Sequence, residues 1–205
     1  MAREPSDHES QPGLAKAELV ALARCHALCL PDTASSRAGH EVLEGLYSAL
    51  TQDPGARVIW HASANASSPE LGAFAAGTVR FRETEALTRR NLRPALFARL
   101  ALRVASMPLH VLSRRRFESH IPHGGIGYVL TLGSSSAVVP GALAPRGAEV
   151  LGELEAWFAE RGASESWVDT ELSNSRAHAF YVRRGYGEVS RAFGQVLLKK
   201  PLKLA

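Results

Sequence analysis

The residues best placed to do chemistry gather in one window, DTELSNSRAHAFYVRRGY, residues 169–186. Ser173 and Asn174 carry short polar side chains that accept hydrogen bonds from the free N–H groups at a helix start. Ala177, Phe180 and Tyr181 then fall three and four residues apart, so they share one helical face and hold a phenol on it. Arg183 and Arg184 stand in the last turn, where cations suit the negative end of the dipole. Gly185 suits the C′ position, and Tyr186 opens a following strand. Residues 165–168 alternate polar and apolar as a strand does. The unit reads strand, capped helix, glycine stop, strand. By periodicity alone, Phe180 and Tyr181 are helix core beside that stop.

Other reactive side chains are sparser. His120 and His123 flank Pro122 in a loop ahead of a strand at residues 127–132. Either imidazole can act as a base near neutral pH, although a solvated loop histidine is the simpler reading. No cysteine or carboxylate cluster accompanies them, so no metal site is expected. Cys25 and Cys29 stand one helical turn apart without metal-ligand spacing and read as buried free thiols in a reducing cytoplasm. Asp169 and Glu171 read as solvated or capping groups. Thr131 and Ser134–Ser136 are polar groups able to line a site.

The 169–186 window resembles the C-terminal motif of the GNAT superfamily of acyl-CoA-dependent N-acyltransferases. That motif reads Asn, two residues, Ala, two residues, an aromatic and Tyr, three residues, Gly and an aromatic. Asn174, Ala177, Phe180-Tyr181, Gly185 and Tyr186 meet it without departure or gap. The resemblance implies an α/β fold with a mixed, largely antiparallel central sheet flanked by helices. The family's fourth and fifth strands part there to admit pantetheine. It further implies Tyr181 as general acid for the departing thiolate, with Asn174, Ala177 and Phe180 as cofactor contacts. The implied donor is acetyl-CoA, without a metal. The implied acceptor is a primary amine of a small molecule or protein, attacking directly in a ternary complex. The stretch HALCLPDTASSRAGHEVLEGLY, residues 26–47, resembles members linked with polysaccharide or sugar modification, which points to an amino sugar.

The family's pyrophosphate loop is less complete. Its pattern is Arg or Gln, two residues, Gly, one residue, then Gly or Ala, with successive N–H groups aimed at phosphate. Setting Val138 and Val139 at the strand end puts Leu143 at the Arg/Gln position, Arg146 at the first Gly and Ala148 at the last. A shift of one residue puts Gly147 last instead. A β-carbon where glycine is expected hinders close approach, while Arg146 can compensate by charge-assisted bonds. Two readings follow: an acyltransferase with altered cofactor geometry, or a catalytically silent GNAT-fold binding or scaffold protein.

The chain of 205 residues, 45% hydrophobic and 21% charged, suits one soluble globular domain over residues 14–205 behind a disordered polar tail, residues 1–13. No leader sequence or membrane-spanning stretch is evident, so a cytoplasmic location is expected. Helices are expected at 14–30, from Ser35 or Ser36 to about 50, and at 146–161. Strands are expected at 57–62 and 71–81, with two short ones in 188–198 and a solvated basic tail at 199–205. No strand is evident ahead of the first helix, where the family usually has one.

Residues 84–120 form a helical, basic insertion between the family's strands 3 and 4. Leu92, Leu96, Leu100, Val104 and Met107 make its apolar stripe, and Arg89, Arg90, Arg93, Arg99 and Arg103 lie beside it. The stripe packs on the domain with its arginines solvated or paired, or forms a basic wall for an anionic ligand, or meets a membrane surface. No run of stacking aromatics is interleaved with those charges, so nucleic acid is not an expected partner. A homodimer is compatible with the sequence.

Overall fold

The computed structural model describes residues 14–62, 72–105, 112, 116–137 and 146–203. Helices α1 (Lys16–Cys29), α2 (Ala34–Ala38) and α3 (His40–Thr51) lead into strands β1 (Ala56–Ala62) and β2 (Gly72–Thr78). Helices α4 (Phe81–Asn91) and α5 (Pro94–Ala105) then precede β3 (Ile126–Ser134). Next come α6 (Gly147–Glu160), β4 (Glu165–Glu171), α7 (Ser175–Arg183), β5 (Gly187–Ala192) and β6 (Gln195–Pro201). The six strands form one sheet in the order β1-β2-β3-β4-β6-β5, antiparallel except for the pair β3–β4. That parallel pair needs a crossover, which α6 supplies. Among the described residues no strand precedes α1.

The sheet is covered on both faces. Val150, Leu151, Leu154, Trp157 and Phe158 of α6, with Tyr181 of α7, pack on one face against Ile59, Ala75, Val129, Val168 and Val196. Leu22, Cys25, Tyr47 and Leu50 from α1 and α3 pack on Val58, Phe74 and Ala76. Phe81, Phe117 and Ile121 join Tyr128, Trp167 and Leu197 in a third cluster. Small residues in the central strands allow the close layering. A β-carbon on Gly127 would stand 2.1 Å from Phe158, and one on Gly77 would stand 2.5 Å from it.

Four expectations are corrected. The helix expected from Ser35 or Ser36 to 50 is broken at Gly39, whose φ of 106° interrupts it. Thr33 is the cap in place of either serine, its hydroxyl accepting from the Ser36 N–H. The second strand ends at Thr78 and Phe81 starts a helix, because buried Asp53 gathers Thr84 Oγ1, the Gly55 N–H and Arg80 there. The expected basic tail is partly strand: Lys199 donates to Glu165 at 2.8 Å and Lys200 to Glu155 at 2.6 Å. Their ammonium groups lie over the rings of Trp167 and Tyr186, at 5.3 and 5.7 Å from the centroids.

Candidate functional site

β3 and β4 pair from Ile126↔Glu165 to Val129↔Val168 and then separate. Beyond that point β3 follows β2 to Ser134, and β4 follows β6 to Glu171. The separation begins at a bulge. Ala76 opposes Thr131 and Gly77 opposes Val129, so Leu130 is the extra residue that turns β3 away. Alternate backbone groups of β3 past Val129 therefore face a gap with no strand bonded to them among the described residues.

Helix α7 stands behind this gap and is fixed at both ends. Asn174 Oδ1 accepts from the Ala177 N–H at 3.0 Å. At the other end the Gly185 N–H reaches Val182 O at 3.0 Å and the Tyr186 N–H reaches Tyr181 O at 3.1 Å. With Gly185 at φ 88°, this is the paired 5→2 and 6→1 closure that left-handed glycine permits. Tyr181 is thereby held in the same cluster as Val129 and Val168, the last paired residues of the two strands. Phe180 and Tyr186 meet its ring edge-to-face, each at 5.3 Å.

The Tyr181 side chain is 5% exposed, yet its hydroxyl makes no hydrogen bond with any described residue. Burial first, then the charges of Asp169 and Glu155, push its pKa above the usual phenol range, so the proton stays on oxygen at neutral pH. Tyr186 differs although it lies in contact. Its hydroxyl donates to Glu155 at 2.8 Å and meets Ser166 Oγ at 2.7 Å. One phenol is structural and satisfied; the other is buried with no hydrogen-bond partner among the described residues.

The start of α6 lies at the far end of β3. A β-carbon on Gly147 would be 3.8 Å from Ser134 Cβ. Arg146 is the N-cap and is exposed, and Glu149 Oε2 accepts from the Arg146 N–H at 3.3 Å. Ala148 is half-buried and its carbonyl accepts from Arg184 Nη2 at 2.6 Å, which ties the end of α7 to the first turn of α6. Arg146, Gly147 and Ala148 thus stand at the helix start expected to meet phosphate. Val138 and Val139, with the rest of 138–145, lie outside the described residues. Asn174 uses one lone pair of Oδ1 for capping and keeps its amide N–H groups for a ligand.

Asp169 corrects the reading of a solvated group. It lies just past the last β3–β4 pair and accepts from Tyr128 Oη at 2.5 Å, while Phe81 packs on Tyr128 with ring centroids 4.4 Å apart. Sequence reading missed this pair because its members are 41 residues apart. It also missed a polar chain beside the splayed part of β3. His26 Nδ1 meets Tyr47 Oη at 2.7 Å, and burial raises the Tyr47 pKa while nearby Thr131 of β3 counters it. Burial lowers the His26 pKa to about 4, so the ring is neutral. Cys25 and Cys29 are free, with sulfurs 3.9 Å apart. His120 is half-buried and bonded to Arg116 O in its own turn, and His123 is exposed. Among the described residues no group of three or more His, Cys, Asp or Glu is placed to hold a metal ion, and no helix is long and apolar enough to cross a membrane.

No family sequence model matches the chain, and no curated protein matches it in sequence. Solved structures do match in fold. SsHAT is 13% identical at a TM-score of 0.59, over 93% of this chain and 96% of that one. A ribosomal-protein alanine N-acetyltransferase from Escherichia coli is 12% identical at 0.53, over 95% and 94%. A protein from Desulfovibrio desulfuricans assigned to the GNAT acetyltransferases is 12% identical at 0.54, over 93% and 95%. With its mixed sheet parting between two parallel neighbours, this chain has the GNAT acetyltransferase fold.

Proposed function

We propose that this protein transfers an acetyl or related acyl group from acetyl-CoA to a primary amine of a small molecule, such as an amino sugar, or of a protein. The observation that carries this reading is the gap between β3 and β4, backed by a buried phenol whose hydroxyl no described residue satisfies. The donor fits these residues. Its pantetheine amides suit the β3 edge left unpaired past Val129. Its phosphates suit the α6 start, where free N–H groups, the dipole and Arg146 coincide.

Acetyl-CoA, when bound, supplies a thioester carbonyl and a sulfur leaving group. The β3 N–H groups that face the gap polarise the carbonyl. Tyr181 holds its proton at neutral pH and gives it to the sulfur as the C–S bond breaks and the N–C bond forms. Asp169, held by Tyr128 just past the last β3–β4 pair, is an acidic acceptor for the proton that the amine loses. Ala177 and Phe180 are half-buried beside Tyr181 and line the same slot. Asn174 contributes through its amide N–H groups.

One observation favours a second reading, a silent binding protein. The Glu149 carboxylate already sits on the N–H of Arg146, the N-cap of α6, where it competes with phosphate. A panel of amines with acetyl-CoA, read by thiol release, separates the two. Amine-dependent release supports transfer. Cofactor binding without release for any amine supports the silent reading and sinks ours.

A further inference from the structure

Helix α5 buries none of its twelve residues fully. Its inner side rests on α3, where Leu96 lies by Gly45, and Arg99 pins it to Ala38 O at 2.6 Å and Glu41 at 2.9 Å. Its outer side is a different surface. Ala95, Phe97, Ala98, Ala101, Leu102 and Ala105 are exposed and, at 100° per residue, cover an arc that holds no charged group. Leu102 is 71% exposed and Phe97 36%. Phe97 and Leu102 gain nothing from water on that side.

Charge is concentrated in the same stretch of sequence. Residues 81–116 carry nine arginines against two glutamates, out of 24 basic and 20 acidic residues in the chain. The rest holds fifteen basic and eighteen acidic residues, so the whole positive excess belongs to this segment. Arg90, Arg93, Arg103 and Arg116 are exposed in it.

We propose that α5 docks this protein on an anionic membrane surface. Phe97, Ala101 and Leu102 enter the boundary of the acyl chains, and the surrounding arginines meet lipid phosphates. An apolar arc flanked by guanidinium groups matches the two layers that a headgroup region presents. A second copy fits poorly, since it would set two such arginine-rich segments against each other. Nucleic acid would leave the apolar arc uncovered.

The test is co-sedimentation of the full chain with phosphatidylcholine vesicles and with phosphatidylglycerol-rich vesicles. One cation near an anionic leaflet is worth about a fivefold change, so binding to the anionic vesicles is expected to be at least about tenfold stronger and to weaken with salt. Leu102→Asp, at an exposed position, should lower it about tenfold with an unchanged melting temperature, and Arg93→Glu should lower it several-fold. Absent binding, equal binding to both vesicle types, or binding unmoved by Leu102→Asp overturns the proposal. Dimerisation or RNA binding lost in Leu102→Asp, without vesicle binding, overturns it in favour of those partners.

Discussion

Replacing Tyr181 by Phe separates catalysis from stability in a way few substitutions do. The ring stays, with its edge-to-face contacts to Phe180 and Tyr186. Only a hydroxyl that bonds to no described residue is removed. A buried, unsatisfied polar group costs about 1–3 kcal/mol, so its loss should leave the fold unharmed or raise stability by about 1 kcal/mol. For a chain of this size that is a melting temperature unchanged or about 2–4 °C higher. The single-turnover rate of thiol release should fall about a hundredfold or more, the usual worth of a positioned proton donor. Tyr186→Phe is the control. It strips a partner from Glu155 and Ser166, both buried, and should cost about 1–3 kcal/mol. Melting curves and rapid-quench turnover on both variants decide the matter. A Tyr181→Phe enzyme with undiminished single-turnover rate, or one that melts as low as Tyr186→Phe, refutes the argument.

Three further outcomes follow from the same structure. His26 has its pKa lowered from 6.5 to about 4 by burial, so the unfolded chain binds the extra proton and stability falls as pH drops through that window. Between pH 7 and 5 denaturant melts should show a loss of about 2 kcal/mol, which His26→Gln should flatten. Glu149→Gln removes an anion from the α6 start; titration calorimetry should show acetyl-CoA binding about two- to fivefold tighter. Gly127→Ala drives a methyl into Phe158 and should lower stability by about 1–3 kcal/mol in thermal melts, because a packed core resists overfilling.

What the sequence disclosed depended on how local the causes were. The window from Asn174 to Tyr186 was readable because its cap, its face and its glycine closure all lie within one helix and its ends. The apolar face of α6 was readable for the same reason: Val150, Leu151, Leu154, Trp157 and Phe158 repeat at helical spacing and are all buried. α4 was not, since its start is set by Asp53, which lies 31 residues from Thr84. Lys199 and Lys200 looked like a solvated end because their carboxylate partners stand 34 and 45 residues away. The gap between β3 and β4 has no sequence signature beyond family resemblance. It arises from a bulge at Leu130, which shifts the alternation so that Val129 and Leu132, three residues apart, join the same cluster.

Thermal denaturation with and without saturating acetyl-CoA tests the central claim, that the parted strands form an acyl-CoA slot. Ligand at a hundred times its dissociation constant stabilises the folded state by about 2.7 kcal/mol, so the melting temperature should rise by about 5–10 °C. The α6 dipole and Arg146 should make dephospho or pantetheine-only analogues shift it less. A melting temperature that saturating acetyl-CoA leaves unmoved would contradict the slot and, with it, the proposed activity.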